Sequence, residues 1–121
     1  MYRETRVHVI VPAYNVADRI GAVLKAIPDF VDAITVVDDA SRDGTVEAVL
    51  AVSDRRLRVV RHEANQGVGG AMVTGFRDAL LDGDGIVVKM DGTAGLVARY
   101  SQPQPFYERK LLDYLKAWKG L

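Results

Sequence analysis

The sequence predicts an α/β fold: three layers around a mostly parallel sheet of about four strands, in the order βαβαβαβ, with a further helix towards the C-terminal end. Three observations carry this. Short β-branched runs alternate with segments of helical period. Two of the runs, Val36-Val37-Asp38-Asp39 and Val87-Val88-Lys89-Met90-Asp91, stop on carboxylates. A glycine-rich turn, Asn65-Gln66-Gly67-Val68-Gly69-Gly70, opens the longest helical segment.

Val7 to Val11 is the first strand, apolar apart from His8 and stopped by Pro12. His8 inside it reads as a satisfied structural histidine. Pro12-Ala13-Tyr14-Asn15 is a turn. Ile20, Val23, Leu24 and Ile27 recur at i, i+3, i+4 and i+7, an amphipathic helix closed by Pro28. Ala33 to Asp38 is the second strand. Val46, Val49 and Leu50 mark the second helix, with Ser41 or Asp43 available as its N-cap. Leu57 to Arg61 is the third strand. Val68, Met72, Phe76 and Leu80 form the expected apolar stripe of the third helix, which Asp82-Gly83-Asp84-Gly85 ends. Ile86 to Met90 is the fourth strand. This alternation implies a Rossmann-like sheet with helices on both faces.

After Gly92 the character changes. Residues 93–105 have no period and contain Ser101-Gln102-Pro103-Gln104-Pro105, a linker-like piece. Residues 106–121 read as a helix with Tyr107, Leu111, Leu115 and Trp118 on one stripe and Gly120 at the C-cap. Its four bases and two acids admit a membrane-surface reading. The preferred one is that the stripe covers an exposed face of the same domain.

The chain's 121 residues suffice for one domain with a core and not for two. Lys+Arg and Asp+Glu are both 16, so the balance leaves no electrostatic footprint for nucleic acid. The absence of Cys excludes a disulfide framework, a thiolate metal site and Cys nucleophilic chemistry. Two histidines are too few for a His-rich metal cluster. The polar start Met-Tyr-Arg-Glu-Thr-Arg does not read as a signal peptide, and no apolar run approaches the ~18 residues of a membrane span. The expected location is cytoplasmic, with peripheral membrane association as the alternative.

In a parallel sheet the C-terminal strand ends share one edge, where ligand crevices form. The Pro12–Asn15 turn, Asp39 and Asp91 each follow such an end. Alternation sends Asp38 and Asp39 to opposite sides, and Asp39 is read as facing a ligand. A competing reading has one acid capping the next helix and the other solvated. A carboxylate at this edge accepts from a base N–H or a ribose hydroxyl, and a second reaches a divalent metal holding a diphosphate. The glycines allow close backbone approach, and a helix N-terminus favours an anion. The run does not fit G-x-G-x-x-G, since position 72 is Met, and no Gly-Lys-Ser/Thr of a P-loop occurs.

Four segments in this order, Val9-Ile10-Val11-Pro12-Ala13-Tyr14-Asn15, Val36 to Thr45, Asn65 to Ala71, and Val87-Val88-Lys89-Met90-Asp91-Gly92, resemble the family 2 glycosyltransferases. The nearest subgroup is similar to dolichol- or polyprenyl-phosphate sugar synthases. The resemblance covers roughly residues 7 to 92 and implies the GT-A fold in its N-terminal, donor-binding half. It implies a UDP- or GDP-sugar donor, inverting transfer aided by Mg2+ or Mn2+, and an acceptor such as a lipid phosphate. By position, it implies that Pro12, Ala13, Tyr14, Asn15 and Gly67 line the nucleotide-sugar pocket, that Asp39 binds the base, and that Asp91 is the first acid of the D-x-D metal motif.

The chain departs from that pattern in two places. Thr93 stands where the family has the second Asp of D-x-D, which weakens metal binding. Beyond Asp91 the only carboxylates are Glu108 and Asp113, five residues apart and on different faces of a helix, so no catalytic base is identified. The expectation is a truncated or frame-altered relative. Two function classes follow: a glycosyltransferase whose donor site works, or a catalytically incompetent nucleotide-binding module. A remnant without any ligand is the weaker third.

Overall fold

The computed structural model describes residues 4–83 and 85–90. The expectations for Asp91, Thr93, the linker 93–105 and the helix 106–121 lie outside them.

The elements alternate as β1 (Val7–Ala13), α1 (Ile20–Lys25), β2 (Ala33–Asp38), α2 (Thr45–Leu50), β3 (Leu57–Arg61), α3 (Gly67–Leu80) and β4 (Ile86–Lys89). The strands form one parallel sheet in the order β3-β2-β1-β4. Strand β1 is central, and the chain winds outwards from it in both directions. The expected α/β architecture is therefore present.

Register assigns the faces. Ile10 pairs with Thr35 and Lys89, and Pro12 pairs with Val37, so these side chains share one face. Helix α3 packs there, against Ile10 and Val37 through Ala71. The opposite face carries Val7, Val9, Val11, Ile34 and Val36, and the α1 residues Ile20, Val23 and Leu24 and the α2 residue Val49 bury against it. All five strand residues are almost completely shielded from solvent, as a parallel sheet covered on both sides requires.

Three sequence expectations change. Strand β1 runs through Pro12 to Ala13. Even-numbered β1 residues bond towards β4, as Met90 N–H does to the Ile10 carbonyl, while Ala13 accepts from Asp39 N–H on the β2 side. The missing N–H of Pro12 thus faces β4, where the pairing stops at Lys89, and the β1–β2 ladder continues uninterrupted to Ala13. Helix α2 buries Thr45 and Val49 and leaves Leu50 exposed. Its start is not a simple side-chain cap: Asp43 accepts from both the backbone N–H and the hydroxyl of Thr45.

The third correction concerns α3. The residues it buries are Ala71, Gly75 and Ala79, not the predicted stripe. A Cβ at Gly75 would overlap Ile10 Cγ2, so the helix approaches the sheet at a distance only a small face allows. The predicted stripe is turned aside, with Val68, Phe76 and Leu80 exposed by 59%, 45% and 74%.

His8 is buried as a structural residue. Its Nε2 lies 2.7 Å from Thr35 Oγ1 and its Nδ1 3.3 Å from Asp82. Thr35 also donates to Asp78, and Arg58 bridges Asp78 and Asp82, forming a polar seam under the C-terminal half of α3. Burial, with the nearby Arg58 charge, holds the imidazole below its ordinary pKa. Among the described residues no helix is long and apolar enough to cross a membrane.

Candidate functional site

The site forms at the C-terminal edge of the sheet, where three loops meet. The first is the β1–α1 turn. Asn15 adopts a left-handed backbone at φ 51°, a conformation asparagine tolerates better than most residues. Its N–H donates to Ser41 Oγ at 2.9 Å and its Oδ1 accepts from Arg42 N–H at 2.9 Å. Asn15 thus latches this turn to the second loop, which follows β2. Val16 N–H adds a bond to Thr45 Oγ1 at 2.9 Å.

The second loop begins at the paired acids, which diverge as strand alternation demands. Asp38 turns to the α1/α2 face, where its Oδ2 accepts from Ser41 N–H at 3.3 Å and lies 3.5 Å from Arg61 Nε. Its Oδ1 is buried and has no hydrogen-bond partner among the described residues. Asp39 turns to the α3 face and is 5% exposed.

Asp39 organises the third loop. Oδ1 accepts from Gln66 N–H at 2.7 Å and lies 2.8 Å from His62 Nδ1, and Oδ2 accepts from Gly67 N–H at 2.8 Å. The carboxylate therefore ties down the first turn of α3, satisfying donors that a helix start leaves open. Gly67 enters the helix at φ 78°, which a side chain would strain. A carboxylate only accepts, so the His62 proton sits on Nδ1, and in the neutral ring Nε2 accepts from the Thr74 hydroxyl 2.7 Å away. Burial pushes the Asp39 pKa up. The bonds from His62, Gln66 and Gly67 outweigh it and hold the group below the usual carboxylate range.

Two cavities open at this edge. One of about 260 Å3 is lined by Pro12, Ala13, Tyr14, Val16, Asp39, Gly67, Val68, Ala71 and Lys89. A larger one of about 740 Å3 has Tyr14, Ser41, Arg42, Arg61, His62 and Asn65 in its lining. Tyr14 belongs to both and is 48% exposed, so a broad aromatic surface stands between them.

The structure thus brings Pro12, Ala13, Tyr14, Asp39 and Gly67 together around one cavity. Asn15 is outside that lining and latches two loops instead. Asp91 lies outside the described residues. Sequence reasoning missed His62 and Lys89 as parts of the site. Both were within reach of register: Asp38 pairs with Arg61, which puts His62 beside Asp39, and Lys89 shares a face with Ile10. Among the described residues no group of three or more His, Asp or Glu is arranged to hold a metal ion.

The carboxyl edge of a parallel sheet is where α/β domains form ligand crevices, and the class of this domain is α/β. A family model for glycosyl transferase family 2 matches residues 8–92, and the chain belongs to that family. It is 37% identical over 90 residues to an undecaprenyl-phosphate mannosyltransferase from Micrococcus luteus, covering 71% of this chain and 37% of the relative. It is 30% identical over 100 residues to a UDP-N-acetylglucosamine–dolichyl-phosphate N-acetylglucosaminyltransferase from Methanococcus voltae, covering 70% and 40%. Among solved structures, a mannosyltransferase from Pyrobaculum calidifontis in complex with GDP-Man and Mn2+ superposes with a TM-score of 0.64 at 36% identity, covering 75% of this chain and 28% of that one. Glucosyl-3-phosphoglycerate synthase from Mycobacterium tuberculosis, in complex with Mn2+, UDP and glucosyl-3-phosphoglycerate, gives 0.57 at 28% identity, covering 74% and 34%. The chain therefore spans well under half the length of these relatives.

Proposed function

We propose that this chain is the donor-binding part of a glycosyltransferase, taking a UDP- or GDP-linked sugar for transfer to an acceptor such as a polyprenyl phosphate. The observation that carries this reading is the cavity shared by Tyr14, Asp39, Gly67 and Lys89 at the sheet edge. The exposed Tyr14 ring offers a base a stacking surface. Asp39 spends three acceptor positions on the α3 loop, and a carboxylate offers about four, so one base N–H remains within its capacity. Lys89 supplies a cation to the same lining, complementary to a diphosphate.

The described residues do not by themselves fit the divalent ion that the family resemblance implies. The acid lining the smaller cavity is Asp39, and its bonding is nearly saturated. Asp91 remains the ligand offered, with neutral Thr93 in place of a second acid.

A second reading, a nucleotide-binding module without turnover, is favoured by one observation. Neutral Thr93 stands where a second acid would complete the D-x-D pair for a divalent ion. Calorimetry of the full chain with UDP and GDP tests both readings at their common root. Binding should occur, and Tyr14→Ala should weaken it about tenfold or more with little change in stability. Equal affinity in wild type and variant would remove Tyr14 from the site, and no binding by wild type would reject both readings. Sugar transfer to a polyprenyl phosphate by the wild-type chain would decide for the enzyme over the module.

A further inference from the structure

Asp39 does not offer its two oxygens equally. Oδ1 takes Gln66 N–H at 2.7 Å and His62 Nδ1–H at 2.8 Å, which fills both of its acceptor positions. Oδ2 takes Gly67 N–H at 2.8 Å, and Asn65 Oδ1 shares that N–H at 3.1 Å. Gly67 lines the smaller cavity beside Asp39, whereas His62 lines the larger one and Gln66 lines neither. The unspent acceptor is therefore on Oδ2, the oxygen on the side of the smaller cavity. His62 is what closes Oδ1. Its side chain is almost fully buried and held at both nitrogens, Nδ1 against Asp39 and Nε2 against Thr74 Oγ1 at 2.7 Å. Thr74 stands on α3, so the ring is fixed between the end of β3 and the helix. Of the two bonds on Oδ1, the one from Gln66 is a backbone bond, independent of any side chain. The other exists because residue 62 is a histidine.

We propose that His62 is a specificity-determining positioning residue: by filling Asp39 Oδ1 it leaves the base a single acceptor, and so selects a uridine over a guanosine diphosphate sugar. This rests on the donor-site reading above and chooses between its two nucleotides. The edge of uracil that meets a carboxylate carries one N–H, at N3, between two carbonyls. The matching edge of guanine carries two adjacent donors, N1–H and the N2 amino group, which a carboxylate meets with one oxygen each. Here Oδ1 is already spent on His62 and Gln66. Uracil places its one donor on Oδ2 and brings no other. Guanine brings a second donor up to a filled oxygen, and a donor desolvated without a partner costs affinity. His62 touches neither base in this arrangement and acts through Asp39 alone.

Calorimetry of the full-length chain with UDP and with GDP reads the preference. Wild type should bind UDP about tenfold or more tighter than GDP. His62→Leu frees one position on Oδ1 and should bring the two affinities within about threefold of each other, through a gain for GDP relative to UDP. His62→Asn sets an amide N–H where Nδ1–H stood and should keep the preference for UDP. A purely structural His62 would lower both affinities together in His62→Leu and leave their ratio unchanged, which would overturn the proposal. Equal affinities or a preference for GDP in the wild type would overturn it too, with the donor-site reading intact. Binding of neither nucleotide would reject that reading, and this inference with it. Should His62→Leu fail to fold, the wild-type ratio still tests the proposal, as do long-range proton–nitrogen correlation spectra of the imidazole. These should place the His62 proton on Nδ1, and a neutral ring protonated on Nε2 alone would overturn the proposal.

Discussion

Asp39→Ala should destabilise the domain by roughly 2–4 kcal/mol, the scale of leaving two buried or part-buried donors without their acceptor. The carboxylate is almost fully buried and accepts from Gln66 N–H, Gly67 N–H and His62 Nδ1, all within 2.7–2.8 Å. Alanine leaves Gln66 N–H and His62 Nδ1 without this acceptor, while Gly67 N–H keeps Asn65 Oδ1 at 3.1 Å. A buried orphan donor costs about 1–3 kcal/mol, and the sum is reduced as the loop relaxes and admits water. Asp39→Asn should cost less, because an amide oxygen can still serve His62 and Gln66 while its NH2 group opposes Gly67 N–H. Urea unfolding followed by circular dichroism measures both, with an unchanged slope showing that only stability moved. A change under about 0.5 kcal/mol for Asp39→Ala, the range of an ordinary surface substitution, would refute Asp39 as the organiser of the α3 entry.

Gly75→Ala should cost about 1–3 kcal/mol by overpacking against Ile10 Cγ2, and Ile10→Ala, which removes that atom, should relieve part of it, giving favourable coupling in a double-mutant cycle of unfolding free energies. His8 is held below its ordinary value of 6.5, so the unfolded chain takes up its proton first: stability is full above about pH 6.5 and falls as pH drops through that value. His8→Gln should flatten that limb in thermal melts recorded across pH. Asp39, held below 3.8, should add a second loss below about pH 3.8, absent in Asp39→Asn. Thr93→Asp should tighten Mn2+-dependent nucleotide binding measured by calorimetry without restoring transfer.

The strands were legible because their burial is written in β-branched runs. Ala33–Asp38 is found with the bounds its sequence announces, since both of its faces are covered. Helix α3 was not legible in the same way. Large residues at i, i+4, i+8 and i+12 outweigh alanine and glycine in any hydrophobic count, yet Gly75 and Ala79 are what close packing on Ile10 and the sheet requires. The site was half legible. Tyr14, Asp39 and Gly67 follow strand ends, and such residues converge in any parallel sheet. Asn15 stands outside the lining of the smaller cavity because its backbone and side chain latch two loops, a role that a turn asparagine fills as readily as a ligand contact. His62 escaped notice because its role depends on the pairing of Asp38 with Arg61, a relation across strands that no local pattern states.

The proposed function places a nucleoside diphosphate where the β1–α1 turn, the Asp39 loop and the start of α3 meet. Amide chemical-shift mapping of the full-length chain during titration with UDP, and separately with GDP, tests it most directly. Saturable shifts should cluster at Ala13–Asn15, Asp39–Arg42 and His62–Val68, with residues at the opposite edge, such as Arg6 and Gly83, unmoved. Shifts confined to that opposite edge, or none with either nucleotide at millimolar concentration, would contradict it.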